Sequence, residues 1–191
     1  MHREPLLEIE LKTIDTAAPE AAEMLKTAKA RLGFVPNMYG YMANDPAVLG
    51  GYMQSYDAFR STGGFTPAEQ EVVFLTISRI NGCSYCMAAH SMIADKKSGV
   101  PSDSLAALRE GRALPDAKLE AVARFTAAMV ETRGNPGKAA VDAFLAAGYT
   151  SRHALAVVLA IACKTFSNMT NHLAGTAVDA PFQPYAVTED A

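Results

Sequence analysis

The chain has 191 residues, half of them hydrophobic, with 19% charged residues and a net charge of −3. That is ample apolar material for a buried core, which excludes disorder over most of the length. The even charge balance argues against a nucleic-acid or anionic-membrane surface, since both need clustered Lys and Arg.

Residues 1–15 read as an extended N-terminal arm, and residues 16–191 as a single all-helical domain. The opening Met1-His2-Arg3-Glu4-Pro5 lacks the apolar run of a secretory signal. From Pro19 to Leu32, Ala21, Met24, Leu25, Ala28 and Leu32 recur at helical spacing. Gly33-Phe34-Val35-Pro36-Asn37 breaks that helix. Asp45-Pro46 opens the next one, as a cap with Pro in the first turn, and it runs to about Gly63-Gly64. Thr66-Pro67-Ala68-Glu69 is a further start signal. The helix after it carries Val72, Val73, Ile77 and Ile80 and stops at Asn81-Gly82. Helix resumes over Ser84 to Lys97, closed by Gly99 and Pro101. Further helical runs are expected at 102–110, 115–133, 136–147 and 150–176. No segment alternates with period two, and aromatics are few, Trp is absent and Ala abundant, so the fold class is all-α.

The longest apolar stretch, Ala154 to Cys163, is too short to cross a bilayer, which suits a soluble cytoplasmic protein without a membrane partner. A shift of 82 residues places Val73, Ile77 and His90 on Leu155, Leu159 and His172. It also places Cys83 and Cys86 on Thr165 and Asn168. The echo is either a degenerate internal duplication or a chance match between two Ala-rich amphipathic helices.

Three cysteines do not make a disulfide scaffold, and a close pair in a reducing compartment points to catalysis or metal binding. Cys83 follows Gly82, where one helix ends and another begins. A thiol in a first helical turn sees unpaired N–H groups and the positive end of the dipole, which favour thiolate. Cys86 lies three residues on, on the same face, close enough for a disulfide. His90 follows one turn later and can take the thiol proton. In one straight helix Glu71 would lie roughly 28 Å from His90 at about 1.5 Å per residue. A reversal at Asn81-Gly82 instead sets the two side by side on antiparallel helices. Carboxylate, imidazole and thiol then form an activated-nucleophile pattern.

Glu71, eleven residues, then Cys83-Ser84-Tyr85-Cys86-Met87-Ala88-Ala89-His90 resembles the AhpD-like alkylhydroperoxidase motif of the carboxymuconolactone decarboxylase superfamily. Gly33-Phe34-Val35-Pro36-Asn37 and Asn168-Met169-Thr170-Asn171-His172 extend the likeness to its longer, peroxidase-related branch. The resemblance implies an AhpD-like helical bundle, a trimer or hexamer, and reduction of a hydroperoxide through a Cys-Cys disulfide. The carried-over relay is Glu71, His90, Cys86 and Cys83. Better-known members have His where this chain has Tyr85, so their proton relay and lipoyl-domain reductant are not carried over. The reductant is left as a protein or small thiol. No cofactor is called for, because the dithiol supplies both electrons.

Other readings stand beside this one. A Cys-x-x-Cys with a nearby His could bind zinc with Glu71 or His172 as fourth ligand, although no second knuckle exists. Haem attachment fails because Met87, not His, follows Cys86. A purely structural pair is disfavoured by the helix-start position. Cys163, among Ala160, Ile161 and Ala162, reads as core. His172 could face the same cleft as the echo of His90 or satisfy a buried hydrogen bond with Asn168, the second being preferred, while His2 and His153 have no supporting context. The preferred activity is a thiol peroxidase, with Cys86 attacking and Cys83 exchanging with the reductant, roles that spacing alone leaves interchangeable. The alternatives are a lactone decarboxylase, which needs no dithiol, and a non-enzymatic redox or zinc module.

Overall fold

Helix starts are set by caps that supply the missing acceptors of a first turn. Asp45 Oδ1 accepts from Ala47 N–H at 2.9 Å. Thr66 and Glu69 exchange bonds, with Thr66 N–H donating to Glu69 Oε2 at 2.8 Å and Glu69 N–H to Thr66 Oγ1 at 3.3 Å. Asp116 Oδ1 accepts from the N–H groups of Lys118 and Leu119. The computed structural model describes residues 4–187. Among these residues the helices are α1 (Pro19–Leu32), α2 (Asn37–Met42), α3 (Pro46–Thr62), α4 (Pro67–Ile80), α5 (Ser84–Ile93), α6 (Ser102–Glu110), α7 (Ala117–Glu131), α8 (Lys138–Ala146) and α9 (Ser151–Ala174), with no strand. A π turn over Ala94–Ser98 prolongs α5, and a 3₁₀ segment spans Ala180–Tyr185.

α4 is the central element. Every residue from Glu69 to Ser78 is buried, and α5, α6, α7 and α9 all pack on it. A helix enclosed on all sides explains why its sequence is apolar with polar exceptions, each needing an internal partner. α9 lies along α3 and α4, and its inner face carries Ala160, Cys163, Lys164, Ser167, Asn168 and Asn171. By length and composition alone α9 is apolar enough to cross a membrane, with mean hydropathy 1.2 over its most apolar stretch. Its buried polar residues instead place it in the core of this bundle.

Two elements lie where the sequence pattern predicts none. α2 is six residues with Gly40 inside it. A Cβ on Gly40 would meet Leu11 Cδ1 and the Lys12 carbonyl at 2.7 Å, so tertiary contact rather than propensity holds this turn. The 3₁₀ segment contains Pro181 and Pro184, which suit a short tight helix and not a long one. The described part of the arm hydrogen-bonds its own chain, with the N–H groups of Leu6 and Leu7 donating to the Leu173 carbonyl and that of Lys12 to the Gly40 carbonyl.

The echo at a shift of 82 residues does not repeat a supersecondary unit. Residues 67–93 form two helices around a reversal, whereas Ser151–Ala174 is one unbroken helix. Similar amphipathic periodicity accounts for the match.

Candidate active site

The chain reverses at Asn81-Gly82. Gly82 has φ +66°, a left-handed conformation that glycine reaches without a Cβ penalty. Asn81 Nδ2 donates to Asn168 Oδ1 at 2.9 Å, tying the reversal to α9. Cys83 then caps α5, its N–H donating to the Ser78 carbonyl at 2.9 Å. Cys86 sits in the first turn. Both thiols are free and buried, at 1% and 2% exposure. Asn171 reaches them from α9, its Nδ2 lying 3.3 Å from Cys86 Sγ, 3.6 Å from Cys83 Sγ and 3.3 Å from Met38 Sδ.

The reversal brings Glu71 and His90 together. His90 Nδ1 lies 2.9 Å from Glu71 Oε2, and both residues are buried. The other carboxylate oxygen pairs with Arg60 Nη2 at 2.5 Å. Arg60 is in turn held by Tyr56 Oη and Gln70 Oε1, at 3.0 and 3.1 Å. Burial opposes ionisation of Glu71, but His90 and Arg60 outweigh it and hold its carboxyl below the usual range. Burial and the charge of Lys164 push the His90 imidazole below its usual value despite Glu71, so the neutral form prevails near neutral pH. An ionised carboxylate on Nδ1 selects the Nδ1–H tautomer and leaves Nε2 as the basic nitrogen.

Lys164 is the least anticipated member. It is 1% exposed, its Nζ has no hydrogen-bond partner among the described residues, and it lies 5.4 Å from the Phe74 ring centroid. Burial pushes the Cys86 thiol up, but the hydrogen bond from Cys83 and the charge of Lys164 hold it well below the ordinary value. Cys83 moves the opposite way, because it donates its proton to Cys86 and is buried. The first proton therefore leaves Cys86, and Cys83 keeps its own.

The two sulfurs open on different cavities. Cys86 and His90 line one of about 290 Å³, walled by Phe34, Tyr39, Tyr52, Tyr56, Met92 and Phe182. Cys83 lines another of about 180 Å³, beside Asn171, His172, Thr176 and Gln183. Tyr85 borders both. Its hydroxyl donates to Asp179 Oδ2 at 2.5 Å, and Asp179 also accepts from Asn37 N–H at 3.1 Å. That clasp joins the 33–37 loop to the 3₁₀ segment, where Phe34 and Tyr85 meet Phe182 edge-on. Here Tyr85 is a partition fixed by hydrogen bonding.

The remaining sequence candidates fall outside this centre. Cys163 is fully buried and its thiol is pushed up to about 11 by burial, as suits a core residue. His172 makes no bond to Asn168, and among the described residues its Nε2 is unpartnered beside the Cys83 cavity. His153 caps α9 by accepting from Thr150 N–H at 3.1 Å, and His2 lies outside the described residues. Glu71 faces His90 and Arg60 rather than the sulfurs, and among the described residues no three His, Cys, Asp or Glu side chains converge as a metal site. Arg60, Lys164 and Asn171 were not singled out as functional by sequence motifs. The available signal was the polar stripe Lys164, Ser167, Asn168 and Asn171, which shares one α9 face with Ala160.

Comparison with known proteins places this geometry. Residues 46–130, from α3 to the end of α7, match the carboxymuconolactone decarboxylase family. No curated protein sequence matches the chain significantly. Among solved structures, an AhpD-core, peroxidase-related protein from Ralstonia eutropha JMP134 superposes with a TM-score of 0.78 at 20% identity, covering 94% of this chain and 96% of that one. A peroxidase-related protein from Silicibacter sp. TM1040 gives 0.73 at 20% identity, over 94% and 95%. The debrominase Bmp8 gives 0.72 at 19% identity, over 88% and 90%, and a variant of it is known in complex with 2,3,4-tribromopyrrole. Residues 46–130 thus resemble the carboxymuconolactone decarboxylase family, and the chain as a whole shares the all-α fold of AhpD-like, peroxidase-related proteins.

Proposed function

We propose that the protein is a thiol peroxidase for organic hydroperoxides, with Cys86 as the attacking thiolate and Cys83 as the resolving thiol. The observation that carries this reading is the position of Cys86. It lines an aromatic and apolar cavity with His90, while Lys164 and Asn171 favour its thiolate. The thiolate attacks the distal oxygen of the hydroperoxide, the O–O bond breaks, and the departing alkoxide takes a proton, leaving a sulfenic acid on Cys86 and an alcohol. Cys83 condenses with the sulfenic acid, releasing water and forming the Cys83–Cys86 disulfide. Two thiol equivalents from a reductant restore the pair. Glu71 orients His90 through Nδ1, which leaves Nε2 to carry the proton between Cys86 and the departing oxygen. The apolar walls favour an alkyl or aryl hydroperoxide over hydrogen peroxide.

A peroxide-consumption assay with cumene hydroperoxide and dithiothreitol tests the reading. Turnover accompanied by a Cys83–Cys86 disulfide in peptide mass spectra is the expected result. No consumption, with both thiols still titratable, overturns it.

A second reading rests on the same cavity and on the debrominase that shares the fold. A halogenated aromatic fits those walls, and two thiols can replace an aryl halogen by hydrogen while becoming a disulfide and releasing the halide. Bromide release from a bromopyrrole, with cumene hydroperoxide left unconsumed, would favour it over peroxide reduction.

A further inference from the structure

We propose that the cleft between the end of α9 and the C-terminal segment binds a small neutral thiol bearing an amide, and that this thiol reduces the disulfide at Cys83. This deepens the peroxidase reading, on which it rests, by naming the chemical class of the reductant.

Three observations converge on the cleft. Cys83 lines it and Cys86 does not, so a thiol entering there meets only one of the two sulfurs. Asn171 Oδ1, His172 Nε2 and Thr176 Oγ1 are buried without a partner among the described residues, and all three belong to residues lining this cleft. Asn171 is 5% exposed, so its orphaned oxygen is a costly group unless something supplies a donor. Finally, among the described residues the lining contains no Asp, Glu, Lys or Arg. A ligand with carboxylates would leave its charges unpaired there, whereas an amide offers both a donor and an acceptor.

The chemistry closes on itself. The ligand thiolate attacks Cys83 Sγ, the Cys83–Cys86 bond breaks, and Cys86 leaves as the thiolate that Lys164 and Asn171 favour. A second thiol attacks the ligand sulfur of the mixed disulfide, releasing the ligand disulfide and returning Cys83, which takes up a proton. Two thiols are oxidised and one protein disulfide is reduced. Tyr85, pinned by Asp179, keeps this traffic apart from the hydroperoxide cavity.

The test uses the full chain, oxidised with diamide so that peroxide chemistry is not required, and follows reduction by four thiols corrected for thiolate fraction. Pantetheine and N-acetylcysteinamide carry neutral amides, glutathione carries carboxylates, and 2-mercaptoethanol has neither amide nor charge. The two amide thiols should show saturation and reduce Cys83 about tenfold or more faster than 2-mercaptoethanol, as one or two hydrogen bonds allow. Whichever of the two is faster tells a pantetheine arm from a cysteinyl group. Thr176→Val and His172→Leu should erase the preference and Thr176→Ser should keep it, a pattern that general loss of folding does not give. Rates that follow thiolate fraction alone, or a preference for glutathione, would overturn the proposal. Peroxide oxidation of the dithiol is scored separately, so its failure removes the peroxidase reading and leaves the cleft result standing.

Discussion

Asn171 Nδ2 lies 3.3 Å from Cys86 Sγ although 85 residues separate them in the chain. An amide N–H aimed at a sulfur favours the anion, since the bond to a thiolate is charge-assisted. Asn171→Leu keeps the approximate volume and removes the donor. Its Cys86 thiolate should titrate at higher pH, and the peroxide step at neutral pH should slow about tenfold. The ultraviolet absorbance of the thiolate against pH reads the shift directly, and an unmoved titration would remove Asn171 from the site.

Lys164 sets a function against stability. Its buried ammonium favours the Cys86 thiolate and finds no hydrogen-bond partner among the described residues. Lys164→Met should therefore raise the Cys86 pKa, move the acid limb of the rate profile to higher pH, and leave the melting temperature unchanged or higher. The stability linkage has a definite sign. A thiol whose folded pKa is depressed adds stability that is fully present above its ordinary value of about 9 and is lost as pH falls through the folded value. Lys164→Met and Cys86→Ser should each flatten that part of a stability-against-pH curve.

The buried pair of Glu71 and Arg60 makes a different forecast. Glu71→Gln removes the orienting charge from His90 and also strands Arg60, whose guanidinium is mostly enclosed. Loss of one member of a buried ion pair costs about 3 kcal/mol. Denaturant unfolding should register that loss, while the peroxide step falls less than it does on removing the imidazole itself. A variant as stable as wild type would show that Arg60 finds another partner.

The local part of this site was legible because local spacing carries it. Gly82 before Cys83 marks a helix start, three residues put Cys86 on the same face, and four more bring His90 onto it. The Glu71 contact followed from a single reversal. Lys164 and Asn171 were illegible for the same physical reason that makes them effective. They reach the sulfurs across the bundle from α9, and a lysine after Ile161-Ala162-Cys163 looks like the solvated edge of an apolar helix until packing encloses it. The short α2 and the 3₁₀ segment escaped because contact, not propensity, forms them.

Association of identical chains remains an expectation with a concrete surface. Leu155, Met169 and Leu173 are exposed along α9, at 70%, 61% and 45%, and Leu6 and Leu7 of the arm are exposed beside its end. A second copy of the chain would cover such a stripe. Sedimentation should find an oligomer at micromolar concentration, and Leu155→Glu with Met169→Glu should yield a folded monomer. A wild-type monomer would refute this.

His90 and Lys164 act on the same sulfur in ways that kinetics can separate. Lys164 contributes a fixed charge, so its loss should shift the pH at which the thiolate forms while leaving the high-pH plateau near wild type. His90 contributes a movable proton. With Nδ1–H given to Glu71 and the imidazole depressed below its usual value of 6.5, neutral Nε2 is available through the neutral range, and activity should decline only as pH drops below that value. His90→Ala should lower the plateau itself by about a hundredfold, as loss of general acid–base assistance does, and should shift the thiolate titration much less than Lys164→Met. Stopped-flow reaction of each reduced variant with one equivalent of cumene hydroperoxide, across pH, resolves limb from plateau. Cys83→Ser should still consume that equivalent and stop at sulfenic acid, whereas Cys86→Ser should not react. If His90→Ala keeps the wild-type plateau, the imidazole only packs against Phe74, where its ring centroid lies 4.9 Å away, and the thiolate made by Lys164 and Asn171 carries the reaction alone.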